Sequence, residues 1–142
     1  MSLEANKALA RRIWDEVFNN RDLGLADELV APDAVNHEAP PGVPNRGPES
    51  LKAAVGWLSK AFPDMHMAID DVVAEGDKVV LQTTMSGTHL GPFWGVEPTG
   101  KRFAQRHVHG VRIADGKVVE HWAVRDDLGF LQQLGAAPAT AS

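Results

Sequence analysis

The stretch His66–His89, HMAIDDVVAEGDKVVLQTTMSGTH, decides the fold. Residues 66–74 and 79–89 read as strands, and Glu75-Gly76-Asp77-Lys78 between them has the chemistry of a hairpin connection. The same arrangement returns downstream. Arg102–Ile113 reads as a strand, Ala114-Asp115-Gly116-Lys117 as a turn and Val118–Asp126 as the last strand. Between the hairpins, Gly87–Lys101 is rich in glycine and proline, with Phe93 and Trp94 in its middle. Strands joined in this way form an antiparallel meander.

Upstream of the meander the periodicity is helical. Leu9, Ile13, Val17 and Phe18 recur at helical spacing, with Arg11, Arg12, Asp15 and Glu16 filling much of the other side, so Leu3–Asn20 is predicted as a helix. A short helix is expected over Leu25–Val30, ending before Pro32, and an extended segment over Asp33–Glu38. Residues 39–47 hold three prolines and two glycines and mark a loop. Pro48 and Glu49 then suit a helix start, Leu51, Ala54, Val55, Leu58 and Phe62 form one stripe, and Pro63 closes it. After the last strand, Asp127–Leu134 reads as a short helix ended by Gly135. Helices first and a meander after them make an α+β fold with helices over one sheet face. One domain is expected over residues 1–135, followed by a flexible tail, 136–142.

Length and composition bound the function. A chain of 142 residues allows a single sizeable core, and 44% apolar with 23% charged residues is ordinary globular usage. A net charge of -5, with basic residues scattered, argues against nucleic acid as a partner. No apolar run approaches the ~20 residues that a membrane helix needs, so no membrane partner is expected. The start Met1-Ser2-Leu3-Glu4 lacks the character of a signal peptide. Zero cysteines exclude a disulfide frame, a thiolate nucleophile and a Cys-based zinc site, and fit a cytoplasmic location.

Two strands carry the candidate chemistry. His107 and His109 lie two positions apart, about 6.6 Å between Cα atoms on one strand face, with Phe103, Gln105, Val111 and Ile113 on the same face. That mixture of apolar wall and polar middle suits a small-molecule pocket, with Gln105 and His107 as binding groups. On the last strand, Glu120, Trp122, Val124 and Asp126 share a face. Asp126 is predicted to point into the pocket, with Asp127 as the better helix cap. Trp14, Trp57 and Trp122 suit the core, Trp122 also being counted among the substrate-binding residues. Trp94 and His89 belong to the second Gly/Pro loop, which is expected to shape the pocket mouth, with Trp94 against the substrate. His66 and His121 read as surface or interface residues. His-x-His also presents two imidazoles as zinc ligands would stand, with His37 or Asp126 to complete a set.

The residues resemble a known family. Phe62-Pro63-Asp64-Met65, Ala74-Glu75-Gly76-Asp77-Lys78-Val79-Val80 and Gly87-Thr88-His89 are similar to the SnoaL-like polyketide cyclases. So are Gly95-Val96-Glu97-Pro98-Thr99-Gly100, Asp115-Gly116-Lys117-Val118-Val119-Glu120-His121-Trp122 and Gln133-Leu134-Gly135. The resemblance runs from about residue 5 to 135. It implies the cone-shaped fold of the nuclear-transport-factor-2-like superfamily, in which a curved sheet and helices enclose a pocket. It further implies cofactor-free intramolecular aldol closure of aromatic polyketide esters, without a metal. Asp126 matches the family's general acid/base, four residues after the tryptophan. His109 matches a pocket position and is expected to act in catalysis, and His37 matches a pocket histidine that would bind substrate. In this expectation Asp126 moves the proton and the histidines steady enolate oxygen.

Alternatives remain at this level. The same fold serves isomerisation of ketones and hydration of epoxides, the histidines suit a metal, and a pocket can bind without reacting. A homodimer or larger homo-oligomer is expected from the second sheet face.

Overall fold

The periodicity of the first helix holds for ten residues and then widens. In the computed structural model, which describes residues 2–136, α1 (Leu3–Arg12) is capped by Ser2, whose Oγ accepts from the Ala5 N–H at 3.0 Å. The helix continues through Ile13–Asn19 in π winding rather than the regular form expected. Its end is tied down: Asn19 Nδ2 donates to the Met67 carbonyl at 2.8 Å, and its Oδ1 accepts from the Met67 N–H at 2.7 Å. Arg21, at a φ of 57°, donates to the Phe18 and Met65 carbonyls. The wider turn leaves Trp14 and Phe18 stacked, ring planes 8° apart.

The short helix is displaced by a few residues, a 3-10 turn at Leu23–Leu25 leading into α2 (Ala26–Leu29). The extended segment also starts earlier. It is β1 (Val30–Asn36), a sheet edge where Pro32 costs no ladder bond to a second neighbour. α3 (Gly47–Ala61) carries Pro48 in its first turn. The meander follows as β2 (His66–Glu75), β3 (Lys78–Thr88), β4 (Arg102–Ala114) and β5 (Lys117–Arg125), and α4 (Asp127–Leu134) ends at Gly135 with a φ of 74°.

The five strands form one sheet in the order β1-β5-β4-β3-β2. The meander is antiparallel as expected, and β1 extends it by pairing in parallel with β5, Asn36 beside His121. Ladder shifts in the β2/β3, β4/β5 and β1/β5 pairs curve the sheet. The shift on β5 has consequences for the site. Ile113 pairs with Val118 and Arg112 with Glu120, so Val119 is an extra residue and the strand changes phase there. Val118 is buried against the core before the bulge, and Ala123 is the fully inward residue after it.

Helices and the concave sheet face close over one core, in which Trp14, Val17, Phe62, Leu81, Met85, Val111 and Phe130 are essentially fully buried. Each such side chain contributes about 1.5–3 kcal/mol relative to exposure. One end of the core is an aromatic cluster: Phe62, Phe93, Phe103 and Phe130 lie with ring centroids 4.7 to 5.7 Å apart, mostly edge-on. No helix among the described residues is long and apolar enough to cross a membrane. Six residues of the expected tail, 137–142, lie outside the described residues.

Candidate active site

A cavity of about 290 Å³ opens between the concave face of β4 and β5, the α1 extension and α3. The fold supplies its two kinds of wall. Ile13, Leu51, Leu58, Met85 and Val111 give apolar surface, and the strand positions opposite them give polar groups. This is the alternation expected of β4, whose inward residues Phe103, Gln105, His107, His109, Val111 and Ile113 are all buried while their neighbours face out.

The polar groups form a continuous row of hydrogen bonds. Asp127 Oδ1 accepts from Gln105 Nε2 at 3.0 Å, and Gln105 Oε1 faces His107 Nε2 at 2.8 Å. His107 Nδ1 lies 3.1 Å from His109 Nε2, and His109 Nδ1 lies 2.9 Å from His121 Nε2. His121 Nδ1 then meets Asn36 Oδ1 at 2.8 Å. Asn36 is itself held, its Oδ1 accepting from the Glu38 N–H and its Nδ2 donating to Ser50 Oγ, each at 3.0 Å. Trp14 packs across the row, 4.8 Å from the His109 ring centre.

Burial dominates the electrostatics of these rings. It pushes His107 and His121 down to about 3, with the Arg125 guanidinium adding to the effect, and holds His109 well below its ordinary value. Arg125 lines the same cavity, and burial lowers its own pKa against the opposing pull of Asp127 and Glu38. Among the described residues it has no ion pair within 4.0 Å and no side-chain hydrogen bond. Trp14 contributes a buried indole N–H without a partner among the described residues, on a residue that lines the cavity.

The structure brings Gln105, His107, His109 and Trp94 to the cavity as expected, Trp94 being half-exposed beside Phe93. The histidines differ from expectation in one respect. Every ring nitrogen of His107, His109 and His121 is taken by a neighbour in the row, so none is left as a free donor to substrate. The same pairing turns the nitrogens of the His-x-His motif on one another rather than towards a common point. Among the described residues no three His, Asp or Glu side chains converge as a metal site would require.

Four expectations are corrected. Asp126 does not line the pocket: its Oδ1 caps α4 by accepting from the Gly129 N–H at 2.9 Å, and of the two neighbouring exposed carboxylates only Asp127 borders the cavity. Asp127, expected as the cap, lines the cavity instead. Trp122 stands on the outer sheet face, where His37 stacks on it with centroids 5.3 Å apart, and His37 Nε2 pairs with Glu120 at 2.9 Å. Neither Trp122 nor His37 lines the cavity. The corrections on the last strand have one cause, the bulge at Val119, which turns His121, Ala123 and Arg125 inward and Glu120, Trp122 and Val124 outward, and His37 lies outside with the Trp122 ring it stacks on.

His121, Asn36, Arg125, Asp127 and Trp14 line the cavity and were not expected there. A sequence signal existed for two of them: His121 and Arg125, four residues apart, fall on one strand face by the same alternation that put His107 and His109, two apart, on one face. His89, in the second Gly/Pro loop, is buried outside the cavity and fastens the loop, its Nδ1 accepting from the Thr99 N–H at 3.2 Å.

With the geometry in place, the chain compares with known proteins as follows. Residues 8–134 match the family described as SnoaL-like polyketide cyclase. The aklanonic acid methyl ester cyclase DnrD of Streptomyces peucetius is 37% identical over 109 residues, 76% of this chain and 72% of the relative. The nogalonic acid methyl ester cyclase of Streptomyces nogalater is 32% identical over 120 residues, 83% and 89% of the two chains. Among solved structures, TsrD from Streptomyces laurentii superposes with a TM-score of 0.85 at 31% identity, covering 96% of this chain and 98% of its own. AclR of Streptomyces galilaeus, assigned as a candidate hydroxylase, superposes with a TM-score of 0.82 at 33% identity, covering 98% and 90%.

Proposed function

The chain belongs to the SnoaL-like polyketide cyclase family, and from that premise we propose that it closes a ring in an aromatic polyketide methyl ester by a cofactor-independent intramolecular aldol reaction. One observation carries the reading. A carboxylate, Asp127, and a guanidinium, Arg125, that has no ion pair among the described residues line the same partly enclosed cavity.

That pair fits the charge changes of an aldol closure. Asp127 takes the proton from a carbon flanked by carbonyl groups, and the electron pair moves onto the carbonyl oxygen. Arg125 and the Trp14 indole N–H stabilise that enolate oxygen by charge and hydrogen bonding in a partly enclosed site. The enolate carbon then attacks a second carbonyl of the same molecule, and the new alkoxide takes its proton from Asp127. No atom is gained or lost, so the product is an isomer of the substrate. The apolar wall holds the two reacting carbons together, the part of the barrier that geometry alone can lower. In this reading the acid/base role that the resemblance gave to Asp126 falls to Asp127, and Trp94 with Pro41 borders the mouth.

The reading also includes self-association in the cytoplasm, which the lack of cysteine suits. Val108 lies between Gln82 and Val124 in the ladder, and Val80, Val108, Trp122 and Val124 are all exposed on the outer face. A second copy placed about a two-fold axis through this patch would cover it with its own equivalent.

The test is incubation with aklanonic or nogalonic acid methyl ester, followed by chromatography and mass spectrometry. A new product of unchanged mass with one ketone fewer and one hydroxyl more is expected. A product one oxygen heavier, or no conversion of either ester, would overturn the proposal.

A further inference from the structure

The hydrogen-bond row contains more acceptors than three neutral imidazoles can satisfy. Its ends are fixed by groups that have only one role. The Glu38 backbone N–H can only donate, so the Asn36 atom that meets it, and that also meets His121 Nδ1, is the amide oxygen. A carboxylate can only accept, so the Gln105 atom on Asp127 is the amide nitrogen, and the oxygen is left for His107 Nε2. Three imidazoles therefore stand between two carbonyl oxygens, with four contacts of 2.8 to 3.1 Å to fill. Each contact needs one hydrogen. Three neutral rings bring three.

We propose that His107, His109 and His121 hold one extra proton in common, and that this shared charge is the built-in counter-charge of the ionised Asp127. With the fourth proton both ends are donors: His107 Nε2 donates to Gln105 and His121 Nδ1 donates to Asn36. Without it, two lone pairs face each other at one contact of 2.8 to 3.1 Å, too short for a water to stand between them. Burial and the Arg125 guanidinium favour neutral rings when each is weighed alone. The row adds a demand that no single ring feels, and it spreads the charge over three rings.

The charged groups around the row fit this arrangement. Arg125 approaches from β5, Asp127 from α4 and Glu38 from the segment after β1, while Trp14 from the α1 extension, Ser50 from α3 and Thr83 from β3 bring no charge. One shared proton and Arg125 thus balance two carboxylates.

The row also has a second satisfied state. When Asp127 carries a proton, its hydroxyl donates to Gln105 Oε1, the amide turns over, and Gln105 Nε2 donates to His107 Nε2. Three hydrogens on the rings then fill the remaining three contacts, each pointing towards Asn36. Proton count is conserved between the two states: four on the rings with Asp127 ionised, or three with Asp127 protonated. Gln105 is the switch between them, and the histidines are positioning residues that act on substrate through Asp127.

This inference takes Asp127 as the base from the function proposed above, but its test uses no substrate, so either can fail alone. The protein is labelled with ¹⁵N-histidine and its ring nitrogens are observed by two-bond proton–nitrogen correlation near pH 7. His107 Nε2 and His121 Nδ1 are both expected with the chemical shift of a protonated nitrogen. In Asp127→Asn, whose amide offers a donor to Gln105 Oε1, His107 Nε2 is expected to change to the unprotonated type while His121 Nδ1 does not change. Asp126→Asn is expected to alter neither. An unprotonated nitrogen at either end of the row in the unsubstituted protein would overturn the proposal, as would an unchanged His107 in a folded Asp127→Asn protein. If that variant does not fold, the unsubstituted spectrum decides alone.

Discussion

Asp126 and Asp127 are neighbours in the chain and point to different places: the first holds the Gly129 N–H at 2.9 Å, and the second holds Gln105 Nε2 at 3.0 Å. The first bond starts a helix and the second anchors a row of buried imidazoles. The Asp126 carboxylate sits so close over the helix start that a Cβ on Gly129 would collide with it. Two acids of the same type are thereby given separable duties.

Substitution should separate them. Asp126→Ala is expected to lower stability by about 1 kcal/mol through loss of the cap, with turnover retained. Asp127→Asn should melt close to the unsubstituted protein and lose about 10²–10⁴-fold in kcat, the contribution of a positioned acid/base. Thermal melts with single-turnover assays check both, and the opposite pattern would return the acid/base role to Asp126.

Arg125→Met should fold at least as well as the parent. Removal breaks no direct ion pair, because among the described residues no carboxylate lies within 4.0 Å of Arg125, and the charge it withdraws is one whose burial penalty exceeds the pull of Asp127 and Glu38. The kcat should fall about 10²–10³-fold if the guanidinium stabilises the enolate. Equal turnover in the variant would remove Arg125 from the mechanism.

Gly91→Ala tests the mouth. Leu90 and Gly91 both donate through their backbone N–H to the Ala61 carbonyl, at 2.9 and 3.0 Å, and a Cβ on Gly91 would run into the Lys60 carbonyl. The loop beyond carries Phe93 and Trp94 to the cavity. The expected cost is about 1–3 kcal/mol of stability from overpacking, with a raised KM. Urea titration and steady-state kinetics read the two effects, and an unchanged KM would free the loop of any role in binding.

Stability should fall as the solution is acidified below pH 6.5. The sign follows from the buried rings: His107 and His121 are held down to about 3, so between about 3 and 6.5 the unfolded chain binds protons that the native protein refuses. Even with one proton shared along the row, a second and a third find no place. Each refusing ring removes about 1.4 kcal/mol per pH unit below the unfolded value. Urea unfolding at pH 7 and pH 5 measures this, and equal stability at the two values would show the imidazoles to be accessible.

Val124→Lys should give a monomer if the outer face is shared between copies. Val124 is 75% exposed and Val108 beside it 46%, so the substitution burdens no core. Sedimentation of both proteins decides, and a variant that stays associated would move the contact elsewhere.

Much of this architecture was legible in the sequence. Strand and helix boundaries followed Gly76, Gly116, Pro48, Pro63 and Gly135, because turns and helix ends need backbone conformations that few residues allow. The inward face of β4 was legible because it has no bulge and alternation runs through it unbroken. β5 was misread for the complementary reason. Alternation counted from Val118 arrives at Trp122 and Asp126, and nothing local announces that Val119 adds one residue to the count. Asn36 was hidden differently: its neighbour His121 comes from a parallel pairing between distant segments, which periodicity cannot show. The inserted π winding, which depends on Asn19 gripping Met67, is likewise a long-range event.

Val119 makes β5 a strand with two possible linings written in one sequence. Were Val119 paired with Arg112 in an uninterrupted ladder, everything after it would turn by one place, and Glu120, Trp122 and Val124 would stand at the cavity instead of His121, Ala123 and Arg125. The bulge therefore selects an imidazole–guanidinium wall over a carboxylate–indole wall. Loss of Val119 itself would leave Ile113 opposite Val118 and Arg112 opposite Glu120, so the lining survives the deletion of the very residue that forms the bulge. A lineage built on this scaffold can therefore change chemistry by closing a bulge in a strand, without passing through a series of point substitutions in the site.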